Sequence, residues 1–315
     1  MPADPIGPFE FIGTNSLRRL ECEYMGSIYD CPVSWGTLTH LTASNVECTL
    51  PDLNTLLRML RRCPQLETCE LKFGVFRLSH SAIIRVDYDP LSLPHLRHLF
   101  IKHPIYFPDD GTQFLHNLAL PALRSFQCEF FADALPTGPL QFLFPSSMDR
   151  LECLKVKIKR CPSELLLTAL AAMPFLGELH LIGEPVTPER RRDPHFLTHL
   201  MPGAADAESA LCPRLWSVEL SEFTAVGDST IFEFVLSRTD ERVEALHASK
   251  ASQLRDVVQL RRFTCRLQRE MYRNILPNLE GTGCVVELKY EQQKQRQFVL
   301  GKGGVRIQVV PSEAI

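Results

Sequence analysis

The amino-acid sequence predicts an α/β fold: a solenoid of stacked strand-and-helix repeats. Three observations predict it. One short pattern of apolar residues recurs along the chain. Proline precedes several copies at a fixed offset. Stretches with helical apolar periodicity fall between copies, as crossover connections of a parallel sheet must.

The pattern is a leucine, two residues, an apolar residue, one residue, and a further apolar residue. It reads Leu17-Leu20-Cys22, Leu38-Leu41-Ala43, Leu66-Cys69-Leu71, Leu96-Leu99-Ile101 and Leu123-Phe126-Cys128 in the first half. Leu151-Leu154-Val156, Leu176-Leu179-Leu181, Leu215-Val218-Leu220 and Leu260-Phe263-Cys265 continue it. Pro64, Pro94, Pro121, Pro174 and Pro213 each stand two residues ahead of a first leucine. From Leu38 to Leu176 the copies recur every 25–30 residues or so, at the upper end of the leucine-rich-repeat period. The longer last two intervals imply insertions. The fold class is therefore a leucine-rich-repeat solenoid, with a curved parallel sheet on the concave side and helices on the convex side.

The physics of the pattern is simple. Its last two apolar positions are two apart, so both point to one face of a strand. The first leucine sits on the turn entering that strand. One repeat cannot cover this face, but neighbours stacked on it can. Each leucine fully buried that way contributes about 1.5–3 kcal/mol relative to exposure.

The connections follow in order. Leu53, Leu56, Leu57 and Leu60 lie at i, i+3, i+4 and i+7 in PDLNTLLRMLRRC, one apolar helical stripe. Leu166, Ala169, Leu170 and Met173 repeat it, with Ser163 placed to start the helix and Pro174 to stop it. A third helix is expected from Asp228 to Arg238, and a fourth over residues 268–279, with Met271, Ile275 and Leu279 on one side. Residues 284–290 read as a last strand. The chain thus divides into a lead-in over 1–16, a solenoid over 17–290 with an insertion near 181–213, and a tail over 291–315. The tail reads as a hairpin or as unpaired chain.

Composition narrows the function classes. The chain has 315 residues, 45% apolar and 23% charged, with a formal charge of −3. That is a soluble globular composition. No basic face marks a nucleic-acid partner, and no run approaches the roughly 18 apolar residues of a membrane span. The first residues carry no signal-peptide pattern. The eleven cysteines form no CxxC pair, and several occupy apolar positions of the repeat. They fit a reducing compartment, cytoplasmic or nuclear.

The segment SWGTLTHLTASNVECTLPDLNTLLRMLRRCPQLETCELKF (34–73) resembles the leucine-rich-repeat region of F-box-type proteins of mushroom-forming (basidiomycete) fungi. LPHLRHLFI, LPALRSFQC, MPFLGELHL and CPRLWSVEL are similar to the same region. The resemblance covers roughly residues 15–290. It implies a substrate receptor of Skp–cullin–F-box ubiquitin ligases, with repeats holding a target protein. An F-box of about 40 residues, opening on a Leu-Pro-x-Glu-like phrase, stands ahead of the repeats in such proteins. Here the first copy begins at Leu17, and MPADPIGPFEFIGTNS shows no such phrase. Recruitment of a Skp adaptor is left open, and a stand-alone scaffold unrelated to ubiquitin is the alternative.

Motifs of catalysis are absent from the sequence. There is no GxGxxG or P-loop: the tail phrase Gly301-Lys302-Gly303-Gly304 runs on to Val305 with no Ser or Thr directly after its Lys. His95, His98 and His103 lie close in sequence without the convergence a metal needs. His195 and His199 have helical spacing but lack the glutamate of HExxH. No Ser or Cys sits in a nucleophile elbow. Asp109 and Asp110 read as the start of a helix near Phe114. The expectation is no enzyme, no cofactor and no metal.

Binding is expected instead on the concave sheet, at the residues between the apolar positions. These include Glu70, Lys72, His98, Phe100, Lys102, Gln127, Lys155, Lys157, His180 and Glu219. Ser125, Ser217 and Glu178 share the same face. The signs are mixed, which fits a protein partner better than a polyanion. Phe100 is the aromatic of the set, and an aromatic in a polar frame is a typical interface anchor. The charged run Glu189–Asp193 in the insertion reads as a solvated or contact loop.

Overall fold

A computed structural model describes residues 17–23, 33–46, 50–73, 90–103, 118–130, 148–158, 161, 163–183, 196–202, 211–248, 256–291, 296–301 and 304–309. Most of the 181–213 insertion lies outside these residues, with the Glu189–Asp193 run and His195. So do the lead-in, the Asp109–Phe114 stretch and Lys159. The chain forms two compact units: residues 1–131 with 144–147, and residues 132–143 with 148–315.

Among the described residues, the first unit is a parallel sheet with one long helix. Its main strands are β1 (Arg19–Cys22), β2 (His40–Val46), β3 (Thr68–Phe73), β5 (His98–His103) and β7 (Ser125–Phe130). They pair in the order β1-β2-β3-β5-β7, all parallel. β4 (Leu91–Ser92) and β6 (Leu118–Ala119) form a short parallel bridge of their own. Register stacks like on like: Leu41, Cys69, Leu99 and Phe126 form one buried column, and Ala43, Leu71, Ile101 and Cys128 the next. Helix α1 (Leu50–Arg61) buries Leu56, Leu57, Met59 and Leu60.

The second unit repeats this arrangement. β8 (Cys153–Lys157), β9 (Glu178–Ile182), β10 (Ser217–Phe223), β11 (Arg262–Leu267) and β12 (Val285–Tyr290) pair in parallel in that order. β13 (Arg296–Gly301) and β14 (Gly304–Val309) follow with antiparallel pairing. Leu154, Leu179, Val218, Phe263 and Val286 make one buried column, and Val156, Leu181, Leu220, Cys265 and Leu288 the other. Helices α2 (Ser163–Ala171), α3 (Phe196–His199), α4 (Asp228–Ser237) and α5 (Asp240–Ala248) lie between strands in sequence.

The recurring prolines have a local cause. The N–H of Leu66, Leu96, Leu123, Leu176 and Leu215 each donates to the carbonyl three residues earlier. Proline is the second residue of each of these turns, where its fixed φ is already correct. The residue just after each first leucine then supplies a carbonyl that binds the next copy. Glu67 O accepts from Arg97 and His98, and Trp216 O accepts from Arg261 and Arg262. One backbone motif thus propagates from copy to copy in both units. The first copy differs: Leu17 and Leu20 are only half-buried, and among the described residues β1 pairs with β2 alone.

Two expectations are corrected here. Residues 268–275 are irregular, and only Leu276–Leu279 makes a single 3-10 turn. Met271, Ile275 and Leu279 carry helical spacing, but the backbone is engaged elsewhere. Asp228, buried at the start of α4, accepts from the N–H of Tyr272 at 3.0 Å and of Arg273 at 2.8 Å. Its other oxygen takes the Arg269 guanidinium and the Tyr290 hydroxyl. The second correction is Ser217, expected on the open face but only 6% exposed. It is short, and its row neighbours Glu178 and Arg262 are long.

Candidate functional site

Strand pleating sends every second side chain of these sheets away from the core. In the first unit the rows run His40, Thr68, His98, Ser125, then Thr42, Glu70, Phe100, Gln127, then Lys72, Lys102, Glu129. The register places Glu70 and Gln127 on either side of Phe100, about 4.8 Å away along the row. Phe100 is half-buried between them. An open depression of about 320 Å³ is lined by Thr68, Glu70, His98, Phe100, Ser125 and Gln127.

The charges of this face are arranged in short pairs. Lys72 Nζ lies 2.9 Å from Glu70 Oε1, and Lys102 Nζ lies 3.8 Å from Glu129 Oε2. Gln127 Nε2 donates to Glu129 Oε1 at 3.0 Å, which leaves the Gln127 Oε1 side of the amide as an acceptor. Exposed pairs of this kind contribute only about 0.2–1 kcal/mol each to stability. Their effect is to fix long side chains around Phe100 in a defined pattern of donors and acceptors.

In the second unit the middle row runs Lys155, His180, Glu219, Thr264, Glu287. His180 Nδ1 is 3.0 Å from Glu219 Oε2, and His180 Nε2 is 3.8 Å from Glu178 Oε2. Arg266 reaches Glu219 Oε1 at 3.8 Å, and Lys289 pairs with Glu287 at 2.9 Å. Lys155 and Lys157 stand on the same open face, half-exposed. So Glu70, Lys72, His98, Phe100, Lys102 and Gln127 are together on one sheet face of the first unit. Lys155, Lys157, His180 and Glu219 are together on that of the second.

Groups suited to chemistry sit elsewhere. The nine cysteines among the described residues form no disulfide. Burial pushes the Cys63 and Cys212 thiols up to about 12 and the Cys161 thiol up to about 11, so they remain protonated at neutral pH and are poor nucleophiles. Among the described residues, no three His, Cys, Asp or Glu side chains converge as a metal site would. His95 and His98 are both exposed, and His103's side chain lies outside the described residues. No helix among the described residues is long and apolar enough to cross a membrane.

The sequence reading missed the buried polar residues of the second unit. Arg238 is fully buried, with six hydrogen bonds to the carbonyls of Leu200, Leu211, Cys212, Pro213 and Leu215. Burial lowers its pKa to about 10. Asp228, Arg269 and Tyr290 form the second such group. Burial alone would raise the Asp228 pKa. Hydrogen bonds from Arg269, the Arg273 backbone and Tyr290, with the Arg269 charge, outweigh it and hold the carboxyl below its ordinary value. Burial and the Asp228 carboxylate raise the Tyr290 phenol.

The reading also missed an exposed aromatic pair, Phe175 and Trp216. Aligning the copies gives the signal. Trp216 stands in the column of Glu67, Arg97, Arg124, Glu152 and Arg261, and Phe175 in that of Gln65, His95, Arg150 and Arg214. Apart from the small residues Gly177 in the first column and Ala122 in the second, these positions are polar, and both Trp216 and Phe175 are exposed.

Comparison with known proteins gives a limited similarity. No family profile matches the chain. A putative F-box/LRR-repeat protein of Arabidopsis thaliana is 33% identical over 88 residues, 25% of this chain and 18% of that protein. The chain therefore spans less than a fifth of the length of this relative. The parallel strand-and-helix architecture of the two units is compatible with a repeat solenoid, and over a quarter of its length the chain is similar to a protein of F-box/LRR-repeat type.

Proposed function

We infer that the chain is a non-enzymatic protein-binding module: a leucine-rich-repeat solenoid whose strands line a concave recognition face. It is similar in role to the substrate-recognition part of an F-box/LRR ubiquitin-ligase receptor. The observation that carries the reading is the Phe100 site. An aromatic ring stands at the centre of an open sheet face, framed by Glu70, Gln127 and His98, over a depression wide enough for one partner side chain. Interface anchors are aromatic residues inside polar frames. The mixed signs of the rows favour a protein over a polyanion. The F-box/LRR similarity and the mostly buried cysteine thiols support the same reading, with a reducing cytoplasmic or nuclear setting.

Phe100→Ala tests it. The thermal midpoint is expected to stay close to wild type, because the ring is held by the face and not by the core. Capture of specific partners from a basidiomycete lysate, read by quantitative mass spectrometry, is expected to fall at least about tenfold, or 1.4 kcal/mol. Skp adaptor and cullin among the wild-type captures would support ligase recruitment. Equal capture by both chains would remove Phe100 from the interface, and a large drop in midpoint would make it a core residue.

A further inference from the structure

The second unit carries an aromatic and cationic strip of its own. It runs along the leading edge of the sheet, where the chain turns into β9, β10, β11 and β12. The backbone ladder fixes its order. Trp216 and Ser217 donate to the Gly177 carbonyl, Arg261 and Arg262 to the Trp216 carbonyl, and Val285 to the Arg261 carbonyl. Gly177, Trp216, Arg261 and the start of β12 therefore occupy consecutive rungs about 4.8 Å apart.

Three of the large apolar side chains exposed among the described residues lie here: Phe175 at 43%, Trp216 at 37% and Val285 at 37%. The rings are held and not loose. A Cβ on Gly177 would come within 2.7 Å of Trp216 Nε1, so the indole lies against the glycine backbone and needs that glycine. The Arg214 guanidinium sits 4.5 Å from the Phe175 ring centre, in cation–π geometry. Arg261 and Arg262 are exposed, and neither has an acidic partner among the described residues. Glu178, two strands from Arg262 along its row, lies 3.8 Å from His180 Nε2.

We propose that this strip, with Phe175, Arg214, Trp216, Arg261 and Arg262, docks an acidic peptide segment carrying an apolar side chain. Charge complementarity selects the partner. Three arginines offer planar forks that match carboxylates two bonds at a time. Between them Trp216 and Phe175 offer apolar area for one aliphatic or aromatic side chain. Three rung spacings give a strip of about 14 Å, the reach of about four extended residues. A single-stranded nucleic acid is the other polyanion with stacking groups. The chain's formal charge of −3 and the confinement of the arginines to one short edge favour the peptide.

The chain reports on the site itself. It has two tryptophans, and Trp35 is buried at 2% exposure, so Trp216 gives the solvent-sensitive emission. The full chain is titrated with the hexapeptide Asp-Glu-Phe-Asp-Glu-Leu, its Lys-for-acid counterpart, and oligothymidylate. The expected result is a saturable Trp216 emission shift with the acidic peptide alone. It weakens at least tenfold in Arg261→Glu/Arg262→Glu and by a smaller factor in Arg261→Lys/Arg262→Lys, which keeps the charge and loses the fork. Should the Glu variant lower the melt, Arg261→Gln/Arg262→Gln replaces it. Phe100→Ala is expected to bind the peptide like wild type, which separates this strip from the Phe100 site. No shift, or equal affinity in the charge-reversed chain, overturns the proposal. Tighter binding of oligothymidylate than of peptide overturns the partner class.

Discussion

Arg238→Met is expected to destabilise the chain by about 3–5 kcal/mol in urea unfolding, a large share of the stability of an ordinary domain. The reason is the number of acceptors that lose their donor. Nε and the two terminal nitrogens of Arg238 bind five backbone carbonyls at 2.9–3.4 Å, with two bonds to Leu200. These carbonyls belong to the turn after α3 and to the turn that leads into β10. In the second turn Cys212 takes a left-handed backbone with φ of 45°, unusual for a residue other than glycine. Arg238 grips its carbonyl and those on either side. Met fills the stem volume but donates nothing, and a buried polar group left unpaired costs about 1–3 kcal/mol. Arg238→Lys is expected to recover only a minor part, because one ammonium cannot span five carbonyls. A stability within about 0.5 kcal/mol of wild type, the spread of neutral surface changes, would show that the turns hold themselves.

Asp228→Asn is expected to cost a similar amount, about 3–5 kcal/mol, because it leaves the Arg269 cation buried without its counter-charge. The substitution also weakens the acceptor for the Tyr272 and Arg273 backbone, and residues 268–275 lose what shapes them. The sign of the pH dependence follows from the lowered Asp228 pKa. A carboxyl held below its unfolded value stabilises the fold fully above the ordinary carboxylate pKa of about 3.9, and that contribution is lost as pH falls through the folded value. Wild type is therefore expected to lose stability more steeply than Asp228→Asn on acidification below about pH 4. Parallel acid-unfolding curves would contradict the role given to the carboxylate.

Much of the fold was legible because the repeat leaves its mark at fixed offsets. Leu38, Leu66, Leu96, Leu123, Leu151, Leu176, Leu215 and Leu260 are all 1% exposed or less, and each announces the strand that follows it. The open-face residues are legible from the same register by simple alternation. Buried polar groups are not, since their partners are remote in sequence. Asp228 meets Arg269 41 residues away and Tyr290 62 residues away. No local pattern distinguishes this aspartate from a first-turn helix residue. The same remoteness explains the helix expected over 268–279. Its apolar spacing is a local signal, and the pull of Asp228 on two backbone N–H groups overrides it. Trp216 was hidden for a different reason. It adjoins an apolar strand, and only the column of its counterparts in other copies shows that it faces solvent.

The central claim is that the open sheet faces form the recognition surface, and lysine labelling of the partner-bound chain tests it most directly. Lys72 and Lys102 flank Phe100, and Lys155 and Lys157 stand on the matching face of the second unit. Lys250 lies between repeat copies in the sequence and serves as the internal control. Brief acetylation of free and bound chain, read by mass spectrometry, is expected to show Lys72 and Lys102 modified several-fold less when partner is bound, with Lys250 unchanged. Unchanged labelling of all four face lysines, with protection confined to other parts of the chain, would contradict the account.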